Sequence, residues 1–127
     1  MAALPLIVFD VNETLLDLQT MEPIFERIFG ERQAMRLWFS ADGAKYHKPS
    51  RQAYAYVERE LGVEPAQLCL VACHTWDTLG AVAAGWEAAL IRRVGNDVLG
   101  VGPQPQIVGN DLNDVADQLI ARQSARA

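Results

Sequence analysis

Ile7-Val8-Phe9-Asp10 is an unbroken apolar run that stops at a carboxylate, and it constrains the fold more than any other stretch of the chain. A strand of a parallel α/β sheet reads as a near-continuous apolar run. Pro5 to Phe9 fits such a strand, which puts Asp10 at its C-terminal tip. In open α/β sheets ligands bind beyond that end of the strands. A hydroxyl follows four residues later, at Thr14. A carboxylate held there, with turn N–H groups and a threonine hydroxyl nearby, can act as a nucleophile and form a covalent ester. The same aspartate could instead cap the next turn, and the local pattern alone does not separate the two.

Further strands and helices alternate behind it. Gln67 to Ala72 reads as a second buried strand, Glu87 to Ile91 as a third and Gln106 to Val108 as a fourth. Helical spacing runs from about Thr20 to Phe39, with Gly30 as an interruption. Ser40 to Ser50 reads as a loop, punctuated by Gly43 and Pro49. A helix is expected from Ser50 to Leu61, with Ala53, Tyr54 and Val57 on one face and Gly62 as its stop. A short alanine-rich helix is expected from Asp77 or Thr78 to Gly85. An amphipathic helix closes the pattern from Asp111 to Gln123, with Leu112, Val115, Leu119 and Ile120 facing inward. Such alternation implies an α/β fold, a parallel sheet with helical crossovers. The 127 residues suit one domain over 1–127, small for an α/β enzyme.

Charge and cysteine content narrow the function classes. The net charge of −5, with Lys and Arg scattered, argues against a nucleic-acid groove or an anionic membrane surface. Neither a signal peptide nor a membrane-spanning run is apparent. Two cysteines make no disulfide framework, so a reduced, cytoplasmic chain is expected. Cys69, Cys73 and His74 match no standard zinc spacing and read as core cysteines beside a site-lining histidine, with no metal implied. A nucleophilic Cys73 would need His47 brought to it by the fold.

The second informative stretch is Val71-Ala72-Cys73-His74-Thr75-Trp76-Asp77-Thr78-Leu79-Gly80-Ala81. An apolar strand again runs into polar residues, and the small Gly80-Ala81 pair permits close helix packing. If this strand neighbours the first, Asp77 comes near Asp10. Two carboxylates there repel unless a cation or a proton separates them, and Lys48, ahead of Pro49, could supply the charge. Taken singly, Lys48 reads as a solvated loop lysine and Asp77 as a helix N-cap. Trp76 and Trp86 read as packing residues, with Trp76 also able to wall an apolar pocket.

Asp10-Val11-Asn12-Glu13-Thr14, Lys48-Pro49 and His74-Thr75-Trp76-Asp77-Thr78-Leu79-Gly80-Ala81 resemble, in order, motifs of the haloacid dehalogenase superfamily, and most closely the type II 2-haloacid dehalogenases. Tyr54 and Arg92-Arg93-Val94-Gly95-Asn96 look like that family too. The resemblance implies a Rossmann-like core with flanking helices and a small 2-haloacid as substrate. Asp10 would attack the halogen-bearing carbon, with Thr14 orienting the carboxylate and Lys48 holding its charge. Asp77 would position or activate water. Val11, Asn12, Tyr54, His74 and Trp76 would line the substrate. The superfamily's phosphatases usually carry a second aspartate where this chain has Asn12. An amide cannot serve as general acid to a leaving alcohol, whereas halide needs none. No cofactor is therefore implied, and Mg²⁺ only under a phosphatase reading.

The departures are also specific. The family's helical cap and its Ser-Asn strand have no counterpart between Leu37-Trp38-Phe39 and Ser40-Ala41-Asp42-Gly43. Phe39 stands where an arginine is usual, Ala72 where a serine is, and His74 where an asparagine is. A shortened core without the cap leaves the first strand at a sheet edge, which self-association as a homodimer could cover. Two function classes follow: a hydrolase of the 2-haloacid dehalogenase type, or a silent remnant acting through self-association or partner binding. A small-molecule phosphatase is a further reading within the enzyme class.

Overall fold

A computed structural model describes residues 5–12, 14, 15 and 45–126. The first strand, β1, is Leu6–Phe9, and helix α1 is Arg51–Leu61. A 3-10 turn at Pro65–Gln67 leads into β2, Leu68–Ala72. Helix α2 is Thr75–Ala83, and β3 is Glu87–Ile91. The last elements are β4, Ile107–Gly109, and α3, Leu112–Arg126. The expected helix from Thr20 to Phe39, the loop residues up to 44 and the junction where a cap was expected to be absent lie outside the described residues.

The sheet has the order β1-β2-β3-β4 with every pairing parallel. Helix α1 lies between β1 and β2 in the chain and α2 between β2 and β3, a loop joins β3 to β4, and this is a Rossmann-like α/β architecture. Successive side chains of a strand point to opposite faces, and β2 shows the result. Leu68, Leu70 and Ala72 pack with Tyr54, Ala81, Ala84, Trp86 and Ala88 beneath α1 and α2. Cys69, Val71 and Cys73 pack with Ala89, Ile91, Ile107 and Val115 beneath α3.

As expected, β1 is terminal in the sheet among the described residues, and its Leu6 and Phe9 are each 46% exposed. Two local expectations are revised. Helix α2 begins at Thr75 with His74 at the N-cap position, so Asp77 lies inside the first turn and does not cap it. In α3, Val115 is buried and Leu119 packs against the same cluster. Leu112 and Ile120 are exposed instead: Leu112 is the first residue of the helix, and Ile120 is rotated about 100° from Leu119.

Two glycines carry weight. Gly62 closes α1 at φ 64°, a left-handed conformation that favours glycine. Gly80 lets α2 approach α1: a Cβ there would meet the Tyr54 hydroxyl and come within 2.7 Å of Pro49 Cβ.

Candidate active site

The register places the site. Leu6 pairs with Leu68 and Phe9 with Val71, and the Asp10 N–H extends the ladder by donating to the Val71 carbonyl at 2.9 Å. Asp10 therefore sits at the C-terminal end of β1, beside the point where β2 gives way to α2. The chain then turns, with the Leu15 N–H donating to the Val11 carbonyl at 3.0 Å. This turn brings Thr14 back, so that its hydroxyl donates to Asp10 Oδ2 at 3.0 Å. Thr14 Oγ1 in turn accepts the Cys73 N–H at 3.0 Å, which ties the turn to the end of β2. An amide nitrogen can only donate, so the hydroxyl proton is directed to Asp10.

Lys48 arrives from the turn ahead of α1 and Asp77 from the first turn of α2. The Lys48 ammonium lies 2.7 Å from Asp10 Oδ1 and also bonds Asp77 Oδ2. Asp77 is completely buried, and its Oδ1 accepts the Tyr54 hydroxyl at 2.7 Å. That hydroxyl also lies 3.0 Å from the Asp77 carbonyl oxygen. The four residues expected to act together, Asp10, Thr14, Lys48 and Asp77, thus form one connected cluster around a single cation.

The electrostatics follow from burial and charge. Burial disfavours the Lys48 charge, but Asp77 and Asp10 outweigh it and hold the ammonium above the ordinary lysine value. Burial raises the Asp77 carboxyl above the usual carboxylate range, and Lys48 and Tyr54 offset only part of this. Burial and the adjoining Asp77 charge push the Tyr54 phenol up, so it remains a donor. Between the two carboxylates the ammonium occupies the place a cation would take. Among the described residues no group of three or more His, Cys, Asp or Glu is arranged to hold a metal ion.

The expected substrate-lining residues divide. A cavity of about 280 Å³ opens beside the cluster, and Asp10, Val11, Asn12, Lys48 and Tyr54 all line it. His74 and Trp76 do not. They stack on each other with ring centroids 5.4 Å apart, and the Trp76 ring centroid lies 5.7 Å from Lys48 Nζ. Trp76 is 43% exposed, so it is neither a core packing residue nor a wall of this cavity. Cys73 Sγ lies 3.5 Å from His74 Nδ1, and burial, with Glu87 adding, pushes the Cys69 thiol up to about 11. That is far from a reactive thiolate.

Some contributors carry no local signal in the sequence. Arg93, from the loop after β3, donates to the Thr14 carbonyl at 3.2 Å across a long sequence separation. Trp86, beyond α2, lines the cavity and donates its indole N–H to Glu58 Oε1 at 2.8 Å. Neither contact follows from periodicity. In the sequence Arg93 stands out only within the Arg92-Arg93 motif, and Trp86 only as a packing residue.

The chain resembles curated (S)-2-haloacid dehalogenases. One from Burkholderia cepacia is 39% identical over 57 residues, covering 45% of this chain and 25% of that protein. One from Pseudomonas sp. is 31% identical over 80 residues, covering 63% of this chain and 35% of that protein. A crystal structure of an L-2-haloacid dehalogenase aligns with a TM-score of 0.59 at 30% identity, over 64% of this chain and 36% of the other. The L-2-haloacid dehalogenase of Xanthobacter autotrophicus, with chloropropionic acid covalently bound, aligns with a TM-score of 0.57 at 24% identity, over 64% and 42% of the two chains, and shares the fold. No family model matches the chain. The chain spans between a quarter and about a third of the length of these two curated relatives. The four-stranded parallel sheet with its flanking helices matches the Rossmann-like fold of these dehalogenase neighbours. Among the described residues no helix is long and apolar enough to cross a membrane.

Proposed function

We propose that the chain carries the nucleophile site of a hydrolase that cleaves the carbon–halogen bond of a short 2-haloalkanoic acid. The observation that supports this best is the cation at the nucleophile: Lys48 Nζ on Asp10 Oδ1, with the Thr14 hydroxyl on Oδ2. An Asp10 oxygen attacks C2 of the substrate, forming a C–O bond as the halide leaves with the C–halogen electron pair. Water then adds to the ester carbonyl carbon of Asp10. The ester bond breaks to give the 2-hydroxy acid, the aspartate is restored, and one proton passes to solvent. Lys48 and Thr14 keep Asp10 charged and aimed, a form of preorganisation that needs no rearrangement during reaction. Asp77, with its oxygens held by Lys48 and Tyr54, fixes the lysine. In this reading any contribution of Asp77 to placing water is made from that same fixed position.

Val11 and Asn12 form the near rim for the substrate, and Asn12 cannot protonate a leaving group. Halide departure requires no such acid, which favours carbon–halogen over phosphate-ester cleavage. With an ammonium between the two aspartates, the chemistry proceeds without a metal cofactor. Two reduced thiols and small-molecule chemistry suit a cytoplasmic setting. The relatives' names describe (S)-2-haloacids, and the same stereochemistry is proposed here.

A second reading rests on the exposed apolar side chains of β1, Leu6 and Phe9, which suit self-association through that edge. Halide release from both enantiomers of 2-chloropropionate separates the two. Metal-independent release from the S enantiomer, lost in a folded Asp10→Asn variant, is the expected result. No release from a folded chain would overturn the hydrolase reading and leave the self-associating core.

A further inference from the structure

The cavity beside Asp10 reaches well past the reacting groups. Its polar mouth is Asp10, Asn12 and Lys48 with Tyr54 beside them, and its apolar walls include Val8, Leu70, Ala53, Val57 and Trp86. Val8 and Leu70 are register partners on β1 and β2, so they present one continuous apolar floor. Ala53 and Val57 lie one helical turn apart on α1 and form the opposite wall. Trp86 closes the end, held by its bond to Glu58. A small residue at 53 and a β-branched one at 57 leave space that larger side chains would fill. At about 280 Å³ the cavity approaches the lower bound of small-molecule sites, roughly 300 Å³. The substituent of a three-carbon acid would leave most of it empty.

We infer that this cavity is the subsite for an apolar substituent on C2, so that the chain takes 2-halo acids bearing a hydrocarbon group of several carbons. The inference rests on the hydrolase reading for its chemistry, and on the cavity walls for its selectivity. The carboxylate and C2 stay at the Lys48–Asp10 mouth while the hydrocarbon group lies between the β1–β2 floor and α1. The Trp86 indole N–H already has its partner in Glu58, so Trp86 offers the ligand an apolar surface.

The test compares kcat/KM for halide release from (S)-2-bromohexanoate and (S)-2-bromopropionate. In parallel, unreactive hexanoate and propionate are titrated while the Trp86 indole N–H resonance is followed, assigned through Trp86→Phe. A preference for the longer acid of about tenfold or more is expected. Hexanoate alone should shift Trp86. Val57→Phe, which fills the cavity, should bring the substrate ratio near one, and loss of the hexanoate shift in that variant reads the same effect without turnover. Equal rates on both acids with no Trp86 shift would overturn the subsite and leave the hydrolase reading intact. A Trp86 shift without any halide release would overturn the hydrolase reading while the apolar subsite stands. Neither signal would end both.

Discussion

The Cys73 N–H donates to Thr14 Oγ1, and the Thr14 hydroxyl donates to Asp10 Oδ2, each at 3.0 Å. The backbone at the end of β2 thereby sets the direction of a hydrogen bond at the tip of β1. Thr14 is 3% exposed, so no solvent substitutes for either bond. Thr14→Val keeps the shape but removes both the acceptor of the Cys73 N–H and the donor to Asp10, at a cost of about 1–3 kcal/mol. Thr14→Ser should recover most of that. Urea unfolding at neutral pH of the three proteins checks it, and equal stability of the valine and serine variants would contradict it.

Lys48 holds its proton more tightly in the folded chain than when unfolded. A lysine raised in this way contributes stability that is full below the unfolded value near 10.5 and lost as pH climbs through the higher folded value. Lys48→Met should therefore be markedly less stable than the parent at pH 8, and the gap should close in strongly alkaline solution. Removing one partner of a buried ion pair costs about 3–5 kcal/mol, and the one-third exposure of Lys48 puts this case at or below the low end. Thermal unfolding across pH 8 to 12 follows the difference.

For Asp77 the sign is reversed. Its carboxyl is raised in the folded chain, so the folded state binds the proton more tightly. Its contribution to stability falls as pH rises from the unfolded value of 3.8 through the folded value. Tyr54→Phe removes a bond that favours the charged carboxylate and should steepen that fall. Unfolding midpoints of parent and variant between pH 3.5 and 7 would show the two curves diverging towards neutrality. Parallel curves would mean that the phenol does not support the Asp77 charge.

Gly80 and Tyr54 should couple. A Cβ at 80 collides with the Tyr54 hydroxyl and with Pro49, so Gly80→Ala is expected to cost about 1–3 kcal/mol by overpacking. In a Tyr54→Phe background part of that collision is gone, and the penalty should be smaller. A double-mutant cycle measures the difference, and strict additivity would place the strain elsewhere.

Much of this was legible in the chain itself. Apolar runs at Leu6–Phe9, Leu68–Ala72 and Glu87–Ile91 fixed the strands within a residue or so. Their alternation with helices implied the parallel sheet. The order of the Asp10, Lys48 and Asp77 motifs implied that the three would meet. Periodicity failed at the ends of elements. The pattern starts α2 at Asp77 or Thr78, and Asp77 taken singly suits an N-cap, whereas in the fold the helix starts at Thr75 and that side chain is drawn to Lys48 and Tyr54.

The sequence by itself determined which residues would be strand or helix and which carboxylates would stand at strand ends, because backbone preference and hydrophobic period are local properties. Only the tertiary structure decided that Tyr54 would face Asp77, that Cys73 would orient the Thr14 hydroxyl, and that His74 and Trp76 would stack outside the cavity. These depend on parallel register and on how closely α1 and α2 approach, which are distances between segments far apart in the chain. The cavity between β1, β2 and α1 has the same origin: it is space left by packing, and no single segment encodes it.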